Sequence, residues 1–347
     1  MRIIVDVMGG DRAPEETVKG VIMAAQEFNA SYILVGNRFE IERIAQENDF
    51  DIRRMDIVHT ETVITMEDDP LCVVRGKQDS SMTVGLRMLA EGHGDAFVST
   101  GNTGALFTGA TLIVRKAKGV LRAGIGAIVP LQVPVLLLDT GANIAVTEEN
   151  LEQFAVMGSA YMRKMYGLEQ PRVGLLNNGA EETKGTPLQQ AAYKRLAACE
   201  EIRFVGNIEG SVAPFDTCDV LVTDGFTGNI FLKTVEGLGK MLLSRLKSVF
   251  YSSTVTKVAA LGVKKQLAEM KKDYDPAEHG GAPILGISKP VIKAHGSSDA
   301  KAFKNAIRQA INYADSGAIY DIAEAAKQYA ERRKAAQERK KQEAQEP

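Results

Sequence analysis

Short apolar runs alternate with longer helical patterns along this chain, and no other feature constrains its fold as much. Several runs are apolar at consecutive positions, which is typical of parallel strands that are covered on both faces. The predicted strands are Ile3–Val7, Tyr32–Val35, Met55–Val58, Ala96–Ser99, Val135–Leu138, Val173–Leu176, Ile202–Val205 and Val220–Thr223. Helical patterns separate them, such as Glu148–Met165, which Thr147 is placed to cap. We therefore expect an α/β fold with a mainly parallel sheet.

The organisation of the chain favours one domain followed by a tail. Its 347 residues contain no Pro- or Ser-rich linker, so we expect residues 1–330 to form a single α/β domain. From Ser298 onward the pattern is helical. Residues 331–347 are rich in Lys, Glu, Gln and Arg, which predicts a solvated helical tail or, alternatively, a contact with a membrane or partner.

Composition excludes several classes of protein. The net charge is −2, and no basic excess marks a nucleic-acid-binding element. The three cysteines share no CxxC spacing, which argues against a disulfide framework and a zinc cluster. The chain has neither a signal-peptide pattern nor an apolar run near the roughly 18 residues of a membrane span, so we expect a cytoplasmic protein.

Glycine-rich loops follow four of the predicted strands. They read DVMGGD (6–11), STGNTG (99–104), DTGAN (139–143) and DGFTGN (224–229), so Thr-Gly-Asn occurs twice. Glycine exposes backbone donors, Thr and Asn add side-chain donors, and a following helix N-terminus attracts anions. Any one loop could be only a tight turn. Together they predict phosphate binding at the carboxyl ends of the strands.

Two further segments carry candidate groups for chemistry. The loop 177–185, NNGAEETKG, places Lys184 after a strand, either as an exposed cation or as a contact for an oxyanion. The segment 293–299, KAHGSSD, places His295 in a donor-rich turn before a helix. The signatures G-x-x-x-x-G-K-[ST], G-x-G-x-x-G after the first strand and G-x-S-x-G are all missing, so the usual nucleotide and serine-hydrolase motifs are not present.

Together these segments resemble the PlsX family, the phosphate:acyl-ACP acyltransferases of bacterial phospholipid synthesis. The resemblance spans nearly the whole chain before the tail, in the family's motif order. The matching stretches are DVMGGD, STGNTGAL (99–106), LLDTGAN (137–143), VGLLNNGAEETKG (173–185), FVGNIEG (204–210), DGFTGN, and GGAPILG through KAHGSSDAKAFKNAI (280–307). Val7 stands where the family usually has Ala, and the surroundings of Asn178 and Thr183 also differ slightly.

The resemblance implies a fold and a reaction. The fold is a three-layer α/β/α sandwich similar to phosphotransacetylases and isopropylmalate dehydrogenases, usually in a homodimer. In the reaction, inorganic phosphate attacks the thioester of long-chain acyl-ACP, which gives acyl phosphate and free carrier protein without any cofactor or metal. A membrane glycerol-3-phosphate acyltransferase would use the product. The family's catalytic assignments fall on Lys184 and Asn229.

We expect the remaining site residues to bind phosphate and substrate. Those candidates are Asp6, Gly9, Gly10, Gly101, Asn102, Thr103, Asp139, Asn143, Thr227, Gly228, Ser297 and Ser298. Lys184 and Asn229 would stabilise the tetrahedral oxyanion. His295 would either contact phosphate or protonate the departing thiolate, and the sequence does not separate these roles.

The segment 252–270 combines apolar residues with neighbouring lysines. It predicts either helix packing or a dimer contact, or else a patch that rests on an anionic membrane. Since an acyl phosphate must reach a membrane enzyme, we favour a peripheral membrane patch formed by Val258, Ala259, Ala260 and Leu261. The alternatives for function are a phosphotransacetylase that acts on short acyl-CoA, an NAD-dependent dehydrogenase of the same fold, and a non-catalytic scaffold.

Overall fold

The computed structural model describes residues 1–131, 133–273, 278 and 280–343. Within these residues the strands form one 11-stranded sheet with the order β3-β2-β1-β4-β11-β10-β5-β6-β9-β7-β8. The strands are β1 Arg2–Asp6, β2 Ser31–Gly36, β3 Asp56–His59, β4 Ala96–Ser99, β5 Gly124–Pro130, β6 Pro134–Leu138, β7 Arg172–Asn177, β8 Arg203–Glu209, β9 Val220–Val222, β10 Ala282–Leu285 and β11 Val291–Lys293. The α/β prediction is confirmed.

Helices cover the sheet and connect its strands. They are α1 Glu15–Glu27, α2 Arg38–Glu47, α3 Cys72–Arg75, α4 Ser81–Glu91, α5 Thr103–Gly109, α6 Glu148–Tyr166, α7 Pro187–Ala197, α8 Gly225–Phe250, α9 Thr254–Asp273, α10 Ala300–Ser316 and α11 Ala318–Glu343. A π-helical turn, Ala110–Arg115, continues α5, and a 3₁₀ turn, Ile52–Arg54, precedes β3. Thr147 caps α6 as predicted, in a reciprocal box with Asn150.

The direction of the strands reverses in the middle of the sheet. Strands β3, β2, β1, β4 and β11 run parallel to one another, and so do β6, β9, β7 and β8. Between these two sets, β10 and β5 pair antiparallel with each of their neighbours. Three reversals leave the second set opposite in direction to the first. The carboxyl ends of β1, β4 and β11 therefore lie at the opposite edge of the sheet from those of β6, β9 and β7.

Apolar side chains fill the space on both faces of the sheet. In β1, Ile3 and Val5 belong to one buried cluster and Ile4 belongs to another, as the two-residue period of a strand requires. A third buried cluster lies beneath α8, where Phe231, Leu232 and Val235 pack against β6 and its neighbours. Burial on both faces explains why these strands are apolar at consecutive positions.

The C-terminal helix α11 is anchored by ion pairs to α6. Glu152 is buried and forms ion pairs with Arg332 of α11, at 3.5 Å, and with Arg195 of α7, at 2.7 Å. Arg333 pairs with Glu149 at 2.5 Å. The packed part of the chain thus extends beyond the predicted boundary at residue 330, and residues 344–347 lie outside the described part.

Helices α8 and α9 form a long hairpin with exposed apolar side chains. On α8, Leu238, Met241 and Leu242 are exposed, and on α9 the exposed fractions reach 79% for Val255 and 64% for Val258. The side chains of Ala259 and Leu261 lie outside the described part of the structure. None of the described helices is long and apolar enough to cross a bilayer.

Candidate active site

The first cluster of site residues lies at the carboxyl ends of β1, β4 and β11. Asp6, the last residue of β1, is buried and accepts hydrogen bonds from the backbone N–H of Met8 and of Gly9, both at 3.2 Å. Its second carboxylate oxygen accepts from the Ser99 hydroxyl at 2.7 Å. Burial raises the pKa of Asp6, and the bond from Ser99 opposes that rise. Asp6 therefore holds the glycine loop in place.

The glycine loops of this cluster are bonded to one another. The Thr100 hydroxyl donates to the Gly9 carbonyl, and Asp11 N–H donates to the Gly296 carbonyl at 2.9 Å. Gly10 has a φ of +102°, a conformation that favours glycine, and an added Cβ there would lie 2.6 Å from the Thr100 hydroxyl oxygen. Gly101 N–H donates to the Ser99 hydroxyl at 3.0 Å. These donors join the loops, so fewer remain for a ligand than the sequence suggests.

The first Thr-Gly-Asn loop has a structural asparagine. Asn102 caps α5 by accepting from Ala105 N–H at 3.1 Å. Its amide nitrogen lies 3.1 Å from the carbonyl oxygens of Thr65, Met66 and Asp68. Asn102 thus ties a distant loop to the site, and its role as a phosphate ligand stays a prediction. Thr103, the next residue, is exposed at the first position of α5.

Lys293, which the sequence analysis did not select, is the last residue of β11 and lies within the first cluster. Its ammonium donates to the carbonyl of Thr100 at 3.1 Å and to that of Ala294 at 2.5 Å. Burial lowers the pKa of Lys293 to about 8, an effect that Asp11 and Asp6 oppose. Its position two residues before His295 was the only available signal, since a sequence does not show that a lysine is buried.

His295 lies on the exposed side of this cluster. Its Nδ1 is 2.9 Å from the Ser297 hydroxyl, and its Nε2 is 3.3 Å from Nζ of Lys233 on α8. Partial burial and the charge of Lys233 lower the pKa of His295, so its neutral form is favoured near pH 7. Both the hydroxyl and the N–H of Ser298 donate to the His295 carbonyl. Ser297 and Ser298 therefore shape the turn that presents the imidazole.

The second cluster lies at the carboxyl ends of β6, β9 and β7. Asp139 is buried and accepts from Ile125 N–H at 3.0 Å and Ala142 N–H at 3.2 Å. Asn143 adds its N–H and its amide group, at 2.7 and 2.8 Å. Burial raises the pKa of Asp139, while the bond from Asn143 opposes that rise. Since these donors already occupy its carboxylate, Asp139 organises the loop.

Helix α8 begins against that loop. Asp224 caps the helix and accepts from Thr227 through both its N–H, at 2.9 Å, and its hydroxyl, at 2.7 Å. An added Cβ at Gly228 would collide with the Asp139 carbonyl oxygen, so glycine permits this close approach. Asn229 follows beside Gly141. Its side chain is exposed and has no hydrogen bond to any described residue, so it is available to a ligand.

Lys184 lies in the loop after β7. This strand is the neighbour of β9, which leads into the start of α8 and Asn229. Its N–H donates to the Glu181 carbonyl at 3.1 Å, and its side chain passes over Gly179. Asn207 on β8 holds the loop by donating to the Glu181 carbonyl at 2.8 Å. The Lys184 side chain is exposed and has no ion-pair partner among the described residues. The Lys184 ammonium is thus available to a ligand at the carboxyl end of β7.

Helix α8 links the two clusters. Asn229 and Lys233 are four residues apart on α8, so they lie on one face of the helix about 6 Å apart. Lys233 contacts His295 of the first cluster, while Asn229 borders Gly141 of the second. In the described part of the chain, no group of three or more His, Cys, Asp or Glu residues is placed to hold a metal ion.

Comparison with known proteins decides the family. The model of the family described as "Fatty acid synthesis protein" matches residues 1–320. The chain belongs to this family. It is 44% identical over 324 residues to the phosphate acyltransferase of Acetivibrio thermocellus, covering 93% of this chain and 95% of that relative. It is 47% identical over 312 residues to the phosphate acyltransferase of Thermotoga neapolitana, covering 89% of this chain and 92% of the relative. The resemblance drawn from the motifs, and with it the expectation of a phosphate acyltransferase-family enzyme, is confirmed.

Solved structures agree on the fold. A phosphotransacetylase from Streptococcus pyogenes superposes with a TM-score of 0.62 at 17% identity, covering 93% of this chain and 94% of that one. A 4-hydroxythreonine-4-phosphate dehydrogenase from Klebsiella pneumoniae superposes with a TM-score of 0.55 at 11% identity, covering 90% and 99%. The predicted likeness to phosphotransacetylase and dehydrogenase folds is confirmed.

Proposed function

We propose that this enzyme transfers a long-chain acyl group from acyl-ACP to inorganic phosphate, giving acyl phosphate for phospholipid synthesis. One observation carries the proposal: Asn229 presents an unbonded amide on the same face of α8 as Lys233, which contacts His295. One proposed oxyanion donor, Asn229, and the proposed phosphate-binding turn at His295 are thereby joined by one helix. The family relatives named phosphate acyltransferase support the same reaction.

The proposed chemistry needs no covalent enzyme intermediate. A phosphate oxygen attacks the thioester carbonyl carbon and forms a tetrahedral oxyanion, which collapses as the carbon–sulfur bond breaks. The products are acyl phosphate and the carrier thiolate, which takes up a proton. Lys184 and Asn229 donate to the oxyanion, and holding phosphate beside the carbonyl lowers the barrier by several kcal/mol.

His295 has a better-supported role as a phosphate contact than as an acid. Because burial and Lys233 lower its pKa, little of the imidazolium form is present near pH 7. A neutral imidazole has one N–H, and it can donate to phosphate where phosphate replaces Ser297 or Lys233 as the partner of a ring nitrogen. Gly101, Thr103, Thr227, Ser297 and Ser298 remain proposed ligands.

The donor distinguishes this function from its nearest alternative, a phosphotransacetylase that acts on short acyl-CoA. We would compare the rate of acyl phosphate formation from palmitoyl-ACP with the rate from acetyl-CoA, each with inorganic phosphate. We expect palmitoyl-ACP to be preferred by at least about 100-fold in kcat/KM. A preference for acetyl-CoA would replace the proposal with the alternative. The likeness to phosphotransacetylases at 17% identity bears only on the fold.

The hairpin of α8 and α9 is the part of the molecule that we propose to contact the membrane and a second copy of the chain. We infer that Val258, together with Ala259, Ala260 and Leu261, rests reversibly on the inner face of the cell membrane, where a glycerol-3-phosphate acyltransferase would receive the product. The exposed Val255 and Val258 support this, since an apolar surface flanked by lysines suits an anionic membrane. The apolar side chains of α8 are the proposed surface for a homodimer.

A further inference from the structure

The position of Lys293 gives its ammonium one unused donor inside the first cluster. Lys293 pairs with Ser99 across β11 and β4, so its side chain starts beneath the Thr100 loop. Two of its three N–H groups have partners, the carbonyls of Thr100 and Ala294. Among the residues that the structure describes, no carboxylate forms an ion pair with it. A half-buried cation whose protein ligands are neutral carbonyls is suited to binding an anion.

Lys233 is the basic group that acts on this ammonium through space. Lys233 lies against His295, and the pKa of His295 is lowered by burial, by Lys233 and, to a smaller degree, by Lys293 and Lys240. Lys233 also lowers the pKa of Lys293. Glu236 balances Lys233 through an ion pair of 2.8 Å. The like charges of Lys293 and Lys233 repel each other, and a bound dianion would relieve that repulsion.

The nearby acids do not neutralise Lys293 directly. Asp6 already accepts from the Ser99 hydroxyl and from two backbone N–H groups, and its raised pKa reflects burial. Asp11 acts on Lys293 electrostatically and forms no ion pair with it. These carboxylates therefore act on Lys293 only through space, and its third N–H is left for an anion.

We propose that Lys293, with Lys233 and His295, binds the inorganic phosphate that attacks the thioester. This inference rests on the proposed function. It adds two cations, Lys293 and Lys233, to which the family resemblance gave no role. A phosphodiester on the carrier's prosthetic group has similar chemistry. We assign the site to inorganic phosphate because the Lys293 ammonium bonds to the Thr100 loop, which is bonded in turn to the Gly9 loop.

The proposal predicts a pH dependence. Burial holds the pKa of free Lys293 at about 8, while Asp6 and Asp11 raise it and Lys233 lowers it. As the pH rises through that value, the ammonium loses its proton and its attraction for phosphate. Bound phosphate stabilises the charged form, so the KM for phosphate rises with pH in the wild type.

The test is steady-state kinetics of Lys293→Met and Lys233→Gln with palmitoyl-ACP and inorganic phosphate, between about pH 7 and pH 9. In Lys293→Met we expect the KM for phosphate to rise about 10- to 100-fold and to lose most of its pH dependence. Lys233→Gln should raise it about 3- to 10-fold, since its side chain is half exposed. The KM for palmitoyl-ACP should stay within about twofold. Lys289→Gln, four residues earlier in the chain, is the matched control and should change neither constant.

An unchanged KM for phosphate in both folded variants would overturn the proposal, as would a rise confined to the KM for palmitoyl-ACP. Thermal unfolding shows whether Lys293→Met is folded. If it is not folded, the KM for phosphate of Lys233→Gln decides the test. If the wild type forms no acyl phosphate, the proposed function fails separately. Calorimetric binding of inorganic phosphate to the wild type and Lys233→Gln then still tests this site, and equal affinities would reject it.

Discussion

Asn102 and Asn229 end the two Thr-Gly-Asn loops, yet the structure gives their side chains different tasks. Asn102 bonds to Ala105 N–H and to three carbonyls of the loop 65–68. Asn229 bonds to no described residue. The sequence could not separate them, since the three carbonyl partners of Asn102 lie more than 30 positions away in the chain. Lys293 was missed for a similar reason, because its burial depends on neighbouring strands.

Replacing each asparagine by alanine separates structure from catalysis. We expect Asn229→Ala to lower kcat about 100- to 1,000-fold and to change the free energy of unfolding by less than about 0.5 kcal/mol. Asn102→Ala should lower the free energy of unfolding by about 2 to 4 kcal/mol, because several partly buried hydrogen bonds are lost. Urea unfolding and initial rates on the same preparations check both. A stable Asn102→Ala or a fully active Asn229→Ala would contradict these roles.

At the scale of elements, the apolar runs located most strands and missed those that are irregular. Ala96–Ser99 is observed as predicted, and Ile202–Val205 is observed one residue later and longer, as Arg203–Glu209. The missed strands are β5, β10 and β11. Two glycines interrupt β5, a proline lies within β10, and β11 has only three residues. Of these, β10 and β5 pair antiparallel with both neighbours and reverse the direction of the sheet, so their absence from the prediction hid the separation of the two clusters.

The start of α8 provides a second prediction, with a control on the same helix. Gly228→Ala should lower the free energy of unfolding by about 1 to 3 kcal/mol and reduce kcat, because its Cβ would push Asn229 away from the Asp139 loop. Gly237→Ala places its Cβ in open space and should raise the free energy of unfolding by up to about 1 kcal/mol. Thermal or urea unfolding measures both. Equal effects at the two positions would show that the close approach at Gly228 is unimportant.

At the scale of the whole molecule, a single helix joins two oppositely directed halves of a sheet. The family resemblance anticipated the fold and the family, which the comparisons confirm. It could not show that Asp6 and Asp139 lie at ends of opposed strand sets, each fixed by its own loop donors. The site therefore depends on α8, whose first turns carry Asn229 and Lys233 and whose far end enters the exposed hairpin.

The hairpin predicts a reversible membrane contact. Val258→Asp should reduce sedimentation with vesicles of anionic phospholipid by at least about fivefold, because a charge is inserted into the apolar surface. Tyr320→Asp, at an exposed position on α11, is the control and should bind as the wild type does. Activity in solution should be unchanged in both. If Val258→Asp binds vesicles normally, the membrane patch lies elsewhere.

The most direct test of acyl transfer to phosphate is the formation of acyl phosphate from palmitoyl-ACP and inorganic phosphate, followed by phosphorus NMR, in the wild type and in Lys184→Ala. We predict product in the wild type and a rate lower by at least about 100-fold in the variant, since an oxyanion donor is lost. Product with an unimpaired variant would move oxyanion stabilisation away from Lys184. Folded wild type that forms no acyl phosphate would contradict the proposed reaction.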